Sequence, residues 1–346
     1  MLKRILTGMS LLLVLLCGLL LASWLAPLNN TETLRVDIRP GQTLSALSRQ
    51  WETEGWLPSA LVLRIQARLL GYERSLRTGE YDIPPGLNGT ELLALLATAT
   101  PVSYRITLIE GQPLREALRL LAAETRLQQD VQPLNEEQVA RLLGITGSAE
   151  GWIYPDTYVF QRGEKVSVLL QQGYQRMQQQ LQQAWEQRQP GLPYKTPYDA
   201  LIMASLVEKE TGVEYERAQI AGVFVRRLQK NMRLETDPTV IYGLGEAFSG
   251  NLRRSHLRDA ANVWNTYRHR GLPPTPIALA GRKALEAALH PAEGTELFFV
   301  ARGDGTHVFS DTLEAHNRAV REYQIRNRRT DYRSAPPPAS PAPAEE

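Results

Sequence analysis

The chain has 346 residues, an apolar fraction of 43% and nearly balanced charge, with 39 Lys and Arg against 37 Asp and Glu. A net charge of +2 leaves no footprint for nucleic acid, and the length leaves room for two ordinary domains beside an anchor and a tail. The single cysteine, Cys17, lies in an apolar N-terminal run, so the remainder has no disulfide, thiol nucleophile or cysteine-ligated metal.

Residues 1–4 are short and basic (Lys3, Arg4) and precede an apolar run over 5–26. About 20 apolar residues make a helix of about 30 Å, enough to cross a bilayer, with the positive end on the cytoplasmic side. The rest of the chain is then expected outside, in the periplasm of a cell with an outer membrane. A cleaved signal peptide is the rival, but Trp24 and Leu25 interrupt the small-residue spacing it needs. A lipidated Cys17 is a third reading, and the bulky Leu16 before it fits poorly.

From residue 32 to 101 the pattern is a small α/β module. Leu34 to Ile38 alternates as a strand, Pro40-Gly41 turns the chain, and Thr43 caps a helix to about Trp51. A second helix follows over about Ser59–Leu70, then a strand at Gly79–Ile83 and a helix from Thr90 to Leu96. A strand, then PGQTLSALS, then a helix resembles a LysM-like module, a fold that binds N-acetyl sugars in glycan chains. A spacer with no ligand is the alternative, because fold alone does not establish binding.

The second domain is expected over 102–328. It opens with a strand at Tyr104–Ile109 and a helix over about Pro113–Glu124. An aromatic block, Glu150 to Tyr158, is broken by Pro155. A long helix spans about Val166–Gln189, its Gln-rich face solvated. An apolar helix then covers Pro197–Thr211, with Gly212 expected to end it in the left-handed conformation. A helix at Arg217–Gln229, a hairpin from Leu297 to Phe309 and a helix from Thr312 to about Arg326 complete the domain. Residues 329–346 are Pro/Ala-rich and read as a disordered tail. The fold class is therefore α+β: an N-terminal transmembrane helix, the small module, then a mixed domain.

The chemistry-bearing segment is Glu208-Lys209-Glu210-Thr211 at the end of the apolar helix. Residues two apart on a helix point about 200° from each other, so one carboxylate faces a site and the other must be paired or solvated. Glu210 in the last turn can overhang a groove. Burial and the negative end of the helix dipole both raise its pKa, as a general acid at neutral pH requires. Glu208, a half-turn deeper, is expected to pair with Arg226 or Arg227. A charged, solvated helix end remains the plainer reading of the triplet. Three polar segments, Leu234–Gly243, Asn265–Tyr267 and Gly271–Ile277, read as irregular binding loops whose Tyr, Thr and Asn side chains suit sugars.

Other chemistries find no pattern. The five histidines form no HExxH motif; His307 and His316 fall on different predicted elements, and His316 reads as a core residue or a support for one. There is no GxSxG elbow and no Walker or Rossmann glycine pattern. No metal and no cofactor are expected.

The blocks Glu150–Thr157, Ala204–Thr211, Arg233–Gly243, Asn265–Tyr267, Gly271–Pro274 and Ala315–Asn317, in this order, resemble the endolytic murein transglycosylase, or YceG-like, family. The resemblance runs from the anchor to about Tyr323. It implies a lytic transglycosylase of the inner membrane that cuts peptidoglycan glycan strands between N-acetylmuramic acid and N-acetylglucosamine, leaving 1,6-anhydro ends. It also implies a role in ending nascent strands near the peptidoglycan synthases. By the EKET motif the catalytic glutamate is Glu210, with Glu208 and Thr211 as supporting residues. The matching blocks make Asp237, Thr239, Tyr242, Asn265 and Tyr267 the groove candidates. A non-catalytic glycan-binding scaffold and a lysozyme-type hydrolase are the alternatives.

Overall fold

The computed structural model describes residue 18, residues 21–73 and residues 75–326. Most of the expected membrane span, and the tail from 329, lie outside the described residues. Among the described residues no helix is long and apolar enough to cross a membrane. The chain forms two compact units. The first holds residues up to Arg105 together with 126–128 and 159–164, and the second holds the rest.

In the first unit, β1 (Leu34–Ile38) pairs antiparallel with β2 (Gly79–Ile83), Leu34 opposite Ile83 and Ile38 opposite Gly79. Between them run α1 (Leu44–Thr53) and α2 (Ala60–Leu70), and α3 (Gly89–Thr98) follows β2. Each helix starts on a side-chain cap: Thr43, Ser59 and Asn88, the last in a reciprocal box with Glu91. Alternation in the strands and helical spacing bury Val36, Ile38, Leu47, Trp51, Leu63, Tyr81, Ile83 and Leu92 in one core. The β-α-α-β order is the one expected from the sequence. Pairing across the strands adds Arg35 on Asp82 at 2.9 Å.

β3 (Ser103–Thr107) and β4 (Thr157–Gln161) form a second two-stranded sheet, with α4 (Leu114–Ala123) and α5 (Glu136–Leu143) between them in the chain. The second unit continues with α6 (Val166–Glu186), α7 (Pro197–Glu210), α8 (Arg217–Gln229), α9 (Asp237–Leu244), α10 (Arg254–Arg258) and α11 (Arg282–Leu289). The hairpin of β5 (Phe298–Ala301) and β6 (His307–Ser310) and then α12 (Leu313–Val320) close it. α7 is the centre. Every residue from Ala200 to Val207 is buried, so it shows no polar face, and it packs among α6, α8 and α11 around Leu201, Met203, Phe224 and Leu285.

Two expectations change here. Leu234–Gly243 is not irregular: Asp237–Leu244 is helical, with Pro238 in the first turn, where its missing N–H costs nothing. Eight residues give the 3.6 period little more than two turns in which to show; α5 and α11, equally short, have no expected counterpart in the sequence, whereas α12 is marked by the Thr312 cap. At the end of α7 no left-handed glycine is used. Thr211 is extended (φ −145°, ψ 137°), and its hydroxyl accepts from Val213 N at 2.9 Å, which turns the chain instead.

Candidate active site

α7 begins on a capping box: the Thr196 hydroxyl accepts from Asp199 N at 3.2 Å, and Asp199 accepts from Thr196 N at 3.0 Å. Pro197 fills the first turn. Its interior hydroxyl is satisfied, because Ser205 donates to Ile202 O at 2.7 Å and accepts from Ile277 N at 3.0 Å. A helix buried from Ala200 to Val207 therefore carries its last turn, Glu208–Glu210, to the surface of the core.

The two glutamates diverge as the helical period demands. Glu208 is buried, its side chain 5% exposed, and accepts from Gly281 N at 3.0 Å and from Arg217 at 3.3 Å. Neither expected partner is used. Arg226 bonds Ala292 O and Glu296, and Arg227 bonds Glu235 at 3.2 Å and the carbonyls of Leu234 and Leu297. Both lie two and more turns along α8, whereas Arg217 at its start lies beside Glu208. Glu110 stands near as well, its carboxyl raised by burial first and by Glu208 second.

Glu210, on the other side, is only partly buried and lines a groove of about 620 Å³. Its Oε1 accepts the hydroxyl of Thr236. Burial is the main cause that pushes its carboxyl up to about 7; the Thr236 bond pulls it down, and the nearby Asp237 raises it. At neutral pH a large share of Glu210 is thus a carboxylic acid, able to donate a proton and to take one back.

Thr236 is held for this task. It is the N-cap of α9, yet its hydroxyl makes no capping bond, being turned to Glu210. Its N–H donates to Thr266 Oγ1 at 3.0 Å, and its carbonyl accepts from Thr239 Oγ1 at 2.7 Å. The Thr239 and Thr266 hydroxyls meet at 2.9 Å. Before it, Glu235 sits at φ +54°, a strained backbone for a non-glycine, tied down by Arg227.

The groove candidates separate. Asp237 and Tyr267 line the groove together, the Tyr267 hydroxyl donating to Asp237 Oδ1 at 2.7 Å. Thr239 and Asn265 are fully buried and do not reach it. Asn265 donates to the carbonyls of His256, Leu257 and Asp259 and accepts from Tyr267 N, so it fastens the irregular segment that presents Tyr267. Tyr242 turns to Glu150 at 3.0 Å and is T-stacked on Trp264. Thr211 is buried and serves the turn after α7. Polar residue type alone marks all five groove candidates alike; burial removes Thr239 and Asn265, and its bond to Glu150 turns Tyr242 away.

The sequence does not single out Thr236 or the aromatic wall, and Arg227, expected beside Glu208, lines the groove instead. Phe298 and Phe299 of β5 line the groove, Arg227 stands over the Phe298 ring at 4.9 Å, and His316 stacks on Phe298 at 5.2 Å. Burial first and Arg227 second push the His316 imidazole below its ordinary pKa. His307, from β6, lines the same groove and bonds Glu216 at 2.8 Å. A Thr immediately before Asp-Pro is a readable N-cap, and that was the available signal for Thr236. The hairpin's aromatic face carries no comparable signal.

A carboxyl with a raised pKa, set in an open groove with aromatic and polar walls, fits the class of enzymes that work by general acid catalysis. The YceG-like family matches residues 36–322, and the chain belongs to that family. It is 29% identical over 315 residues to the endolytic murein transglycosylase of Bacillus subtilis (strain 168), covering 85% of this chain and 86% of that protein. It is 23% identical over 329 residues to the endolytic murein transglycosylase of Streptococcus pneumoniae serotype 2 (strain D39 / NCTC 7466), of which it spans 59%. Among solved structures it resembles the yceG-like protein lmo1499 of Listeria monocytogenes, with a TM-score of 0.53 and 27% identity over 84% of this chain and 99% of that one.

Proposed function

We propose that this chain is a lytic transglycosylase that cuts within peptidoglycan glycan strands, with Glu210 as its acid and base. The observation that carries the proposal is the placement of Glu210: a carboxyl pushed up to about 7, lining a groove, with one hydroxyl partner. The names of the relatives from Bacillus and Streptococcus support the substrate.

In this reading protonated Glu210 gives its proton to the glycosidic oxygen between N-acetylmuramic acid and N-acetylglucosamine. The bond from that oxygen to the muramyl C1 breaks, and C1 becomes oxocarbenium-like. Glu210, now a carboxylate, takes the proton of the C6 hydroxyl as O6 closes on C1. The product is a 1,6-anhydro end, and no water is consumed. Thr236 holds the carboxylate between the two proton transfers. The chain is anchored in the inner membrane by residues 5–26 with the groove in the periplasm, and it ends nascent strands beside the synthases. The β-α-α-β order of the first unit supports a LysM-like reading of 32–101.

Asp237 favours one rival. It is a second carboxylate in the same groove, and paired carboxylates are the equipment of a hydrolase. Its bond from Tyr267 and its unfavourable charge beside Glu210 suit a group that raises the acid's pKa. Incubating the full chain with purified glycan strands separates the readings by mass, since anhydro ends are lighter than hydrolysed ends by one water. Hydrolysed ends establish the rival, and uncut strands establish a binding scaffold.

A further inference from the structure

The first unit shows an apolar face that its core does not use. On α2, Leu61 is 59% exposed, Ile65 43%, Leu69 71% and Leu70 48%. Leu61, Ile65 and Leu69 are spaced by four and form one stripe. The buried side of the helix is made by Ala60, Leu63 and Ala67, which enter the core.

What lies beside this stripe is the end of the N-terminal apolar run. Residues 21–25 are helical, and Gln66 Nε2 donates to Trp24 O at 2.9 Å. Ser23 and Ala26 face Val62 and Gln66, the positions next around α2 from the stripe. Directly after, Pro27 bridges to Asn88, Leu28 N donates to Leu87 O at 2.7 Å, and the Leu28 side chain is buried in the core. No linker intervenes: the apolar run is fastened to α2 where it ends. Leu21 and Leu25 are themselves 61% and 59% exposed. The charge around the stripe leans positive. Arg64 and Arg68 stand on the helix and Arg77 follows it; Arg68 reaches the exposed Glu73 at 3.6 Å, and Glu52 of α1 is turned to the helix start, accepting from Ala60 N at 3.0 Å.

We infer that α2 is a membrane-docking helix, laying Leu61, Ile65 and Leu69 into the outer boundary of an anionic bilayer while the arginines meet the lipid phosphates. The inference rests on the proposed anchoring by residues 5–26. An apolar stripe fixed to the last turn of a membrane span, with a basic surround, is placed at the interface where such helices bind. The consequence is that the first unit is held flat against the lipid and cannot swing on its anchor.

The test uses the full chain in nanodiscs of phosphatidylethanolamine and phosphatidylglycerol, in a Cys17→Ser background. A nitroxide is attached in turn at Ile65→Cys, Leu69→Cys and, within the apolar run, Leu13→Cys. Accessibility to oxygen against a water-soluble nickel chelate reports depth. The expected result is lipid depth at Leu13 and a depth of about 5–10 Å below the headgroup boundary at Ile65 and Leu69. Lipid depth at Leu13 with water exposure at Ile65 and Leu69 overturns the docking and leaves the anchor standing. Water exposure at all three overturns both. Shielding of Ile65 and Leu69 that appears only when glycan strands are added assigns the face to sugar and overturns the membrane reading. None of these readouts depends on glycan cleavage, so the proposed reaction stands or falls separately.

Discussion

Thr236 donates its hydroxyl to Glu210 across 26 residues of sequence, and does so at the expense of capping its own helix. A hydroxyl donor favours the ionised carboxylate, whereas Asp237, one residue further on, favours the protonated acid. The two neighbours therefore set the acid's pKa from opposite sides, and their removal shifts it in opposite directions.

Thr236→Val removes the donor, so Glu210 should stay protonated to higher pH, and the alkaline limb of kcat/KM moves up. Asp237→Asn removes the repelling charge and moves that limb down. Thr236→Val also loses orientation, which should lower kcat by about tenfold. Both limbs are read from pH–rate profiles on purified glycan strands; shifts in the same direction would contradict the assignment of roles.

Glu210→Gln should abolish anhydro products while the fold persists, because Gln can still accept from Thr236. It should also stabilise the protein, in a pH-dependent way. The folded pKa of Glu210, about 7, lies above its ordinary 4.5, so the folded state binds the proton more tightly. Stability present below 4.5 is therefore lost as pH rises to about 7 and is constant above it. Relative to wild type, the Gln variant should gain nothing at pH 4 and on the order of 1–3 kcal/mol at pH 8. Thermal unfolding at the two pH values checks this.

Glu150 is the other carboxyl pushed up to about 7, by burial above all, and its role is structural. It accepts from Leu114 N at 2.9 Å, capping α4, whose own N-cap is Pro113 and has no side-chain cap. It also takes the Tyr242 hydroxyl. Glu150→Ala leaves both donors buried without a partner and should cost about 2–4 kcal/mol. Denaturant titration measures the loss, and Tyr242→Phe should cost clearly less.

Gly243 lies against the side chain of Asn262, and a Cβ there would stand 1.9 Å from Asn262 Oδ1. That oxygen accepts from Trp264 N at 3.1 Å while the Asn262 amide donates to Val240 O at 3.1 Å, so the side chain is held at both ends. Gly243→Ala should cost about 1–3 kcal/mol by overpacking. Hydrogen exchange should show faster exchange at the Trp264 amide, the donor released when Asn262 is displaced.

Local pattern carries the reading a long way. The sequence alone determines the strand-helix-helix-strand order of the first unit, the limits of α7 and α8, and the 200° divergence of Glu208 from Glu210, because alternation and helical period are properties of neighbouring residues. The tertiary structure decides the partners. It gives Glu208 to Arg217 and Glu210 to Thr236, puts Thr239 and Asn265 under the groove and Tyr267 in it, and supplies the wall of Phe298 and His316 from the hairpin and α12. Burial and the meeting of distant residues depend on how helices pack, and the same Thr or Asn is a ligand at the surface and a brace in the core.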